Sequence, residues 1–271
     1  MNFSVLMSIY HKEKPHNFDR CMQSIWEEQT VKPDEIILVE DGPLTEELYA
    51  VVNRWEEKLC GAFRTIPLEK NVGLGDALNI GLQECQSEIV ARMDTDDIAN
   101  PQRFEKQLKI FEDNKMDMCS SWVSEFDDDE NKIISHRKLP EIHDAIVEFA
   151  KKRNPFNHPA VMYKKSAVEL VGGYQKMMWF EDYYLWVRMI MNGSKLCNIQ
   201  EALVKMRAGY GQLERRSGWR YALNELLFQR ELLRMGFING REFVRNVMIR
   251  LMIRVAPKSI VKIVYKRLRD V

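Results

Sequence analysis

Ile89-Val-Ala-Arg-Met-Asp94-Thr95-Asp96-Asp97 decides how this chain is read, because an apolar strand runs directly into three carboxylates. Ligands of open α/β sheets bind at strand ends of this kind. Acids packed so closely repel one another unless a cation neutralises them, and hard oxygen donors suit Mg²⁺ or Mn²⁺ bridging phosphates. A metal-bound diphosphate substrate is the expectation. Asp also favours turns and N-caps, so Asp94–Asp97 could alternatively cap the helix expected from Pro101. Two more acidic sites, Glu40-Asp41-Gly42 and Glu181-Asp182, follow comparable strand or loop ends, which argues against capping alone.

Upstream and downstream of that stretch, short β-branched runs alternate with helical patterns from residue 3 to about 125, the rhythm of parallel βαβ units. Phe3–Ile9, Glu35–Glu40, Phe63–Pro67, Ile89–Arg92 and Met118–Val123 read as strands. Asn17–Glu28, Thr45–Leu59, Leu74–Cys85 and Pro101–Asp113 read as helices, with Pro101 suited to a first turn. Asp127-Asp-Asp-Glu130 lacks the spaced ligands of a calcium loop and reads as a solvated turn. Residues 131–212 mix short strands with helices near 141–152, 164–171 and 181–191, continuing the same sheet.

The 271 residues, 45% apolar and 30% charged, support one α/β domain with an appendage and exclude disordered or low-complexity classes. Forty Lys plus Arg balance forty Asp plus Glu, so no global charge points to nucleic acid. The five cysteines form no CxxC pair and read as reduced, buried thiols of a cytoplasmic protein. The N-terminus reads as strand one rather than a leader, and no apolar run approaches the ~18–20 residues of a membrane span. Neither a P-loop nor a dinucleotide fingerprint is present.

The C-terminal region, 213–271, differs from the domain assigned to 1–212. Glu214–Met235 looks helical, and Arg241–Ala256 carries Val244, Val247, Met248, Leu251 and Val255 on one stripe flanked by arginines. Lys258–Leu268 resumes the apolar-basic pattern beyond Pro257. Residues 241–271 hold nine Arg or Lys against only Glu242 and Asp270. Such helices suit anionic lipid, and the same stripes would equally serve a homodimer or pack on the domain.

By order of motifs the chain resembles the family-2 glycosyltransferases over roughly residues 3–210. Ser-Val-Leu-Met-Ser-Ile-Tyr10 is similar to the family's opening strand, and Glu35-Ile-Ile-Leu-Val-Glu-Asp41-Gly42 to its second. Asn71-Val-Gly73-Leu-Gly-Asp-Ala77-Leu-Asn79-Ile-Gly81 resembles its Asn/Gly helix start, and Asp94-Thr-Asp96-Asp97 its metal motif. Asn157-His158-Pro159, Gly172-Gly173-Tyr174, Glu181-Asp182 and Trp186-Val-Arg188 follow in order. Glu40, Pro43 and His11-Lys-Glu-Lys14 depart from the commoner pattern.

The resemblance implies a GT-A fold: a Rossmann-like, mostly parallel central sheet flanked by helices, here with C-terminal amphipathic helices. It implies a metal-dependent, inverting transfer of a hexose, galactose or glucose, from a UDP-sugar to a polyprenyl-diphosphate-linked saccharide in O-antigen or exopolysaccharide synthesis. Carried over by position, Ser8, Tyr10, Asp41, Asn71, Gly73 and Asp94 would bind the nucleotide sugar. Asp96 would hold Mn²⁺ or Mg²⁺, and Asp182 would be the catalytic base. Glu181, Trp179, Tyr183 and His158 would line or support the acceptor side, core packing and a helix first turn being their structural alternatives. The implied location is the cytoplasmic face of the inner membrane, reached through the basic helices. A catalytically silent nucleotide-sugar-binding scaffold and, more distantly, a sugar nucleotidyltransferase stand as alternatives.

Overall fold

The computed structural model describes residues 1–208 and 219–255, with the backbone alone for 251–255. The start of the helix expected from Glu214 and the whole of Lys258–Leu268 lie outside the described residues, as does the expected boundary at 212/213.

Strands β1 (Phe3–Ile9), β2 (Glu35–Glu40) and β4 (Ile89–Arg92) are buried along nearly their whole length. Covered on both faces, they need apolar residues in runs rather than alternation, which is how their sequences read. The buried polar exception in β1 is answered locally: Ser4 Oγ donates to Glu35 Oε1 at 2.6 Å. β1 pairs in parallel with β2 and β4, and β2 with β3 (Phe63–Pro67), as expected. Crossovers run through α1 (Pro15–Met22), α2 (Glu46–Leu59) and α3 (Leu74–Glu84). Thr45 caps α2, its Oγ1 accepting from Leu48 N at 3.3 Å.

Beyond β4 the chain forms β5 (Ile98–Ala99), α4 (Arg103–Lys109), β6 (Met118–Phe126), β7 (Ile133–Arg137), α5 (His143–Ala150), β8 (Met162–Lys164), α6 (Lys165–Leu170), α7 (Glu181–Met191) and β9 (Leu196–Arg207). The sheet runs β3-β2-β1-β4-β8-β6-β9-β5, with β7 added on β6. The expected mostly parallel sheet is therefore parallel through β3-β2-β1-β4 and mixed beyond, since β8 runs antiparallel to both β4 and β6. This is the Rossmann-like, helix-flanked sheet that the resemblance implied.

Two helices differ from their expected bounds for visible reasons. α1 begins at Pro15 and passes into a π turn over Gln23–Glu27, where Ser24 Oγ donates to the Cys21 carbonyl and accepts from Ala99 N. α4 starts at Arg103 rather than Pro101, whose carbonyl is engaged by Thr30 N at 2.9 Å.

Helices α8 (Trp219–Arg234) and α9 (Gly240–Val255) complete the described chain. α8 shares a core with α7, in which Phe180, Tyr183 and Val187 meet Tyr221, Phe228 and Leu232. α9 turns a polar face inward: Asn246 is 4% exposed and donates to Lys151 O at 2.7 Å and Gln229 Oε1 at 2.9 Å. Arg250 reaches Glu225 and the Lys152 carbonyl. Of the expected stripe, Val244 and Met248 are left exposed and Val247 half-buried, with Ile249 exposed beside them.

Candidate active site

The carboxyl ends of β1, β2 and β4 open into one cleft of about 920 Å³. Ser8, Tyr10, Asp41, Asn71, Gly73, Asp94 and Asp96 all line it, although they come from four separate segments. Parallel strands bring them together, because every βαβ unit returns its strand end to the same edge.

On one side, Asp41 is 4% exposed and braces the loop before α3. Its Oδ1 accepts from Val72 N at 2.6 Å and its Oδ2 from Gly73 N at 3.1 Å, while Asn71 Nδ2 donates to its backbone carbonyl at 3.1 Å. A β-carbon on Gly42 would sit 2.7 Å from Asn71 N, so only glycine permits this approach of two loops. Gly73, at φ +92°, gives α3 its N-cap with open space around it. Backbone N–H groups at such a helix start suit an anion.

On the other side lies the acidic loop. Asp94 pairs with the guanidinium of Arg92, a fully buried arginine. Asp97 is 1% exposed; its Oδ1 accepts from Arg207 N at 2.7 Å, and its Oδ2 is buried with no hydrogen-bond partner. Burial first, then the neighbouring Asp94 and Glu13 charges, push the Asp96 carboxyl up to about 7. Burial and the Asp96 and Asp94 charges push Asp97 upward as well. Excess negative charge on hard oxygen donors, one of them orphaned, is the donor set a divalent cation completes. Among the described residues no three His, Cys, Asp or Glu side chains form a metal cage. Mg²⁺-type ions commonly use one or two carboxylates, with substrate phosphates and water supplying the rest.

Several cleft residues are additional to those the sequence singled out. Glu13, in the departing segment after Tyr10, accepts from Thr95 Oγ1 at 2.8 Å and lines the cleft with Lys12, Lys14 and His16. Asp127, Asp128 and Glu130, expected as a plain solvated turn, also face it. Arg207 holds that turn to the acidic loop, donating through Nη1 to the Asp127 carbonyl at 2.9 Å. Arg92 carried a readable signal, a lone charge closing a strand otherwise wholly apolar; the 127–130 turn carried none, because β6 brings it in from a distance.

Asp182, Glu181, Trp179, Tyr183 and His158 do not line this cleft. Asp182 and His158 are linked to it by Tyr174, whose hydroxyl lies close enough to Asp94 and Asp182 that both charges raise its pKa, after the larger effect of burial. Asn79 pins Tyr174 by two backbone bonds, accepting from its N and donating to its O, each at 2.7 Å. His158 Nε2 contacts the Tyr174 hydroxyl at 2.8 Å, and burial then the Arg92 charge hold its pKa well below the usual value. Asp182 is the second residue of α7; its Oδ2 accepts from Asn154 Nδ2 at 2.7 Å and its Oδ1 from Tyr183 N at 2.7 Å. Glu181 packs towards Gly75 of α3, with burial raising its pKa.

Tyr183 is a correction to the acceptor-side expectation. It is 3% exposed, its hydroxyl is taken by the Ala150 carbonyl, and its ring packs on Phe228. The helix period turns Tyr183 inward while leaving Glu181 and Asp182 at the first turn. Trp179, 44% exposed, stays at the surface.

Comparison with known proteins gives the family and the fold. Residues 4–172 match the family described as Glycosyl transferase family 2. The amylovoran biosynthesis glycosyltransferase AmsE of Erwinia amylovora is 41% identical, the match covering 98% of each chain. The UDP-Gal:alpha-D-GlcNAc-diphosphoundecaprenol beta-1,3-galactosyltransferase of Escherichia coli is 40% identical over 98% of this chain and 95% of its own. Among solved structures, S. aureus TarS 1-349 in complex with UDP-GlcNAc superposes with a TM-score of 0.69 at 16% identity, over 93% of this chain and 73% of that one. The mannosyltransferase PcManGT of Pyrobaculum calidifontis, in complex with GDP-Man and Mn²⁺, gives 0.67 at 17% identity, over 94% and 70%.

Proposed function

The chain belongs to glycosyl transferase family 2, and from that premise we propose that it moves galactose or glucose from a UDP-sugar to a polyprenyl-diphosphate-linked saccharide, forming a β-glycoside in O-antigen or exopolysaccharide synthesis. The observation that carries the reading is the convergence of Asp41, Asn71, Gly73, Asp94 and Asp96 in one cleft. The galactosyltransferase relative, similar over nearly its whole length, supports galactose and a GlcNAc-diphosphate-lipid as the first pair to test.

Asp41 and the loop it braces would hold the nucleotide, with Ser8 and Tyr10 lining the base pocket and Asp94 near the ribose and diphosphate. Asp96 would hold Mn²⁺ or Mg²⁺, which when bound offsets charge on the departing diphosphate. Asp182 would take the proton of the acceptor hydroxyl. That oxygen attacks the anomeric carbon opposite the leaving group, the sugar–phosphate C–O bond breaks, and UDP departs with the electron pair. Asn154 Nδ2 on one carboxylate oxygen and the Tyr183 N–H on the other would fix the orientation of Asp182.

No helix among the described residues is long and apolar enough to cross a membrane. The lipid-linked acceptor instead requires docking at the cytoplasmic face of the inner membrane. α9 supports this role, since its apolar Val244, Met248 and Ile249 face outward beside the exposed Arg241 and Arg245.

The purified protein with Mn²⁺ or Mg²⁺, a panel of UDP-sugars and synthetic GlcNAc-diphosphate-lipid tests the reading by nucleotide release and product mass. One active donor bears it out. A folded protein that binds no UDP, with or without metal, would overturn it.

A further inference from the structure

Trp179 is the one large aromatic of the described residues held in the left-handed region, at φ +70°. For a bulky side chain that conformation is costly, and it persists only where neighbouring structure over-determines it. The neighbours come from α8. The Trp179 indole stacks on Tyr221 with ring centroids 5.2 Å apart at 21°. Phe180 packs on Tyr221 at 5.4 Å and lies parallel to Phe228 at 4.9 Å. Asn224 Nδ2 reaches Met178 Sδ at 3.8 Å. The loop leading into Asp182 is thus fastened by an aromatic ladder to the C-terminal helices.

That fastening leaves Trp179 44% exposed, three residues before Asp182 and outside the donor cleft. A strained, surface-held indole at the entry to α7, its backbone hydrogen-bonded to the carboxylate of Glu181 next to the proposed base and one face already backed by a ring, offers its other surface to a flat, partly apolar ligand. A sugar ring presents such a face through its C–H groups, and aromatic planes stack well on it. The ring that must lie beside the base is the one bearing the attacking hydroxyl.

We propose that Trp179, braced by Tyr221, is the stacking platform for the acceptor sugar, so that α8 is a working part of the acceptor site. The inference rests on the transferase reading above and goes further, because it makes a residue of the C-terminal region a positioning residue for the reaction. It also moves the functional boundary, expected at 212/213, beyond α8.

The full-length protein is assayed with UDP-galactose and synthetic GlcNAc-diphosphate-lipid, alongside calorimetric UDP binding and thermal unfolding of each variant. Trp179→Ala is expected to raise the acceptor KM by roughly tenfold while UDP affinity stays unchanged, and Trp179→Phe to recover most of the loss. Tyr221→Ala, which leaves the indole in place but unbraced, is expected to raise the same KM by a smaller factor. Trp179→Gly, free of the left-handed penalty, should unfold at a higher temperature than Trp179→Ala yet bind acceptor no better. An unchanged acceptor KM in Trp179→Ala, with the wild type turning over, overturns the platform and leaves the transferase reading standing. A folded wild type that neither binds UDP nor turns over overturns both.

Discussion

The donor half, β1 to β4 with its crossovers, and the last described helix, α9, use their side chains in opposite ways. In the first, apolar residues point inward and the acids gather at strand ends, so position along the strand assigns the role. In the second, Asn246 and Arg250 face the protein while Val244, Met248 and Ile249 face out. An apolar stripe therefore marks a core-facing surface only when something in the same chain covers it. Here the inward face of α9 is satisfied by hydrogen bonds to the carbonyls of Lys151 and Lys152 at the end of α5.

The largest expected effect breaks the comparison on the catalytic side. Asp182→Asn should lower kcat by about 10²–10⁴-fold while UDP affinity is kept, read from steady-state turnover and calorimetry. A matching loss of UDP binding would move Asp182 from acceptor chemistry to donor binding.

Asp96→Asn should weaken Mn²⁺-dependent UDP binding by at least roughly tenfold. Because the Asp96 carboxyl is raised to about 7, Mn²⁺ affinity of the wild type should climb as pH rises through that value. The metal-free fold carries the opposite dependence. A carboxyl whose folded pKa lies above its unfolded value binds more protons in the folded state, so its contribution is most favourable below roughly pH 4 and is lost as pH rises to about 7. Asp96→Asn should flatten that decline and raise the melting temperature of the metal-free protein at pH 8.

Membrane docking is sharpened by the outward stripe. Arg241→Glu with Arg245→Glu should release the protein from anionic vesicles, each lost positive charge weakening binding by about fivefold, from ~1 kcal/mol per basic residue. Cosedimentation equal to the wild type would return α9 to a packing or dimer role. The smallest effect is internal: Asn246→Ala should cost about 1–3 kcal/mol of stability in urea unfolding, by leaving a buried carbonyl unpaired.

These contrasts track what could be read from sequence. Strand runs and the residues at their ends were legible because a buried parallel strand has one composition and one edge for its ligands. Asp41 and Asp96 stood out at such strand ends, whereas Ser8 and Asn71 came from the resemblance to the family; all four line the cleft. The antiparallel insertion of β8 was not, since three residues carry no pairing signal, and neither was the 127–130 turn, delivered to the cleft by β6. Tyr183 was misread because a helix rich in aromatics on every side does not declare which face is inward. Tyr221 lay in a stretch read only as helical, so its stack on Trp179 became visible only in three dimensions.

The central claim is direct displacement at a metal-assisted donor site with Asp182 as base. Its most direct test is the anomeric configuration of the new linkage, determined by NMR on product made from UDP-α-galactose and GlcNAc-diphosphate-lipid. A β-linkage is the predicted result. An α-linkage would contradict the displacement and the role given to Asp182.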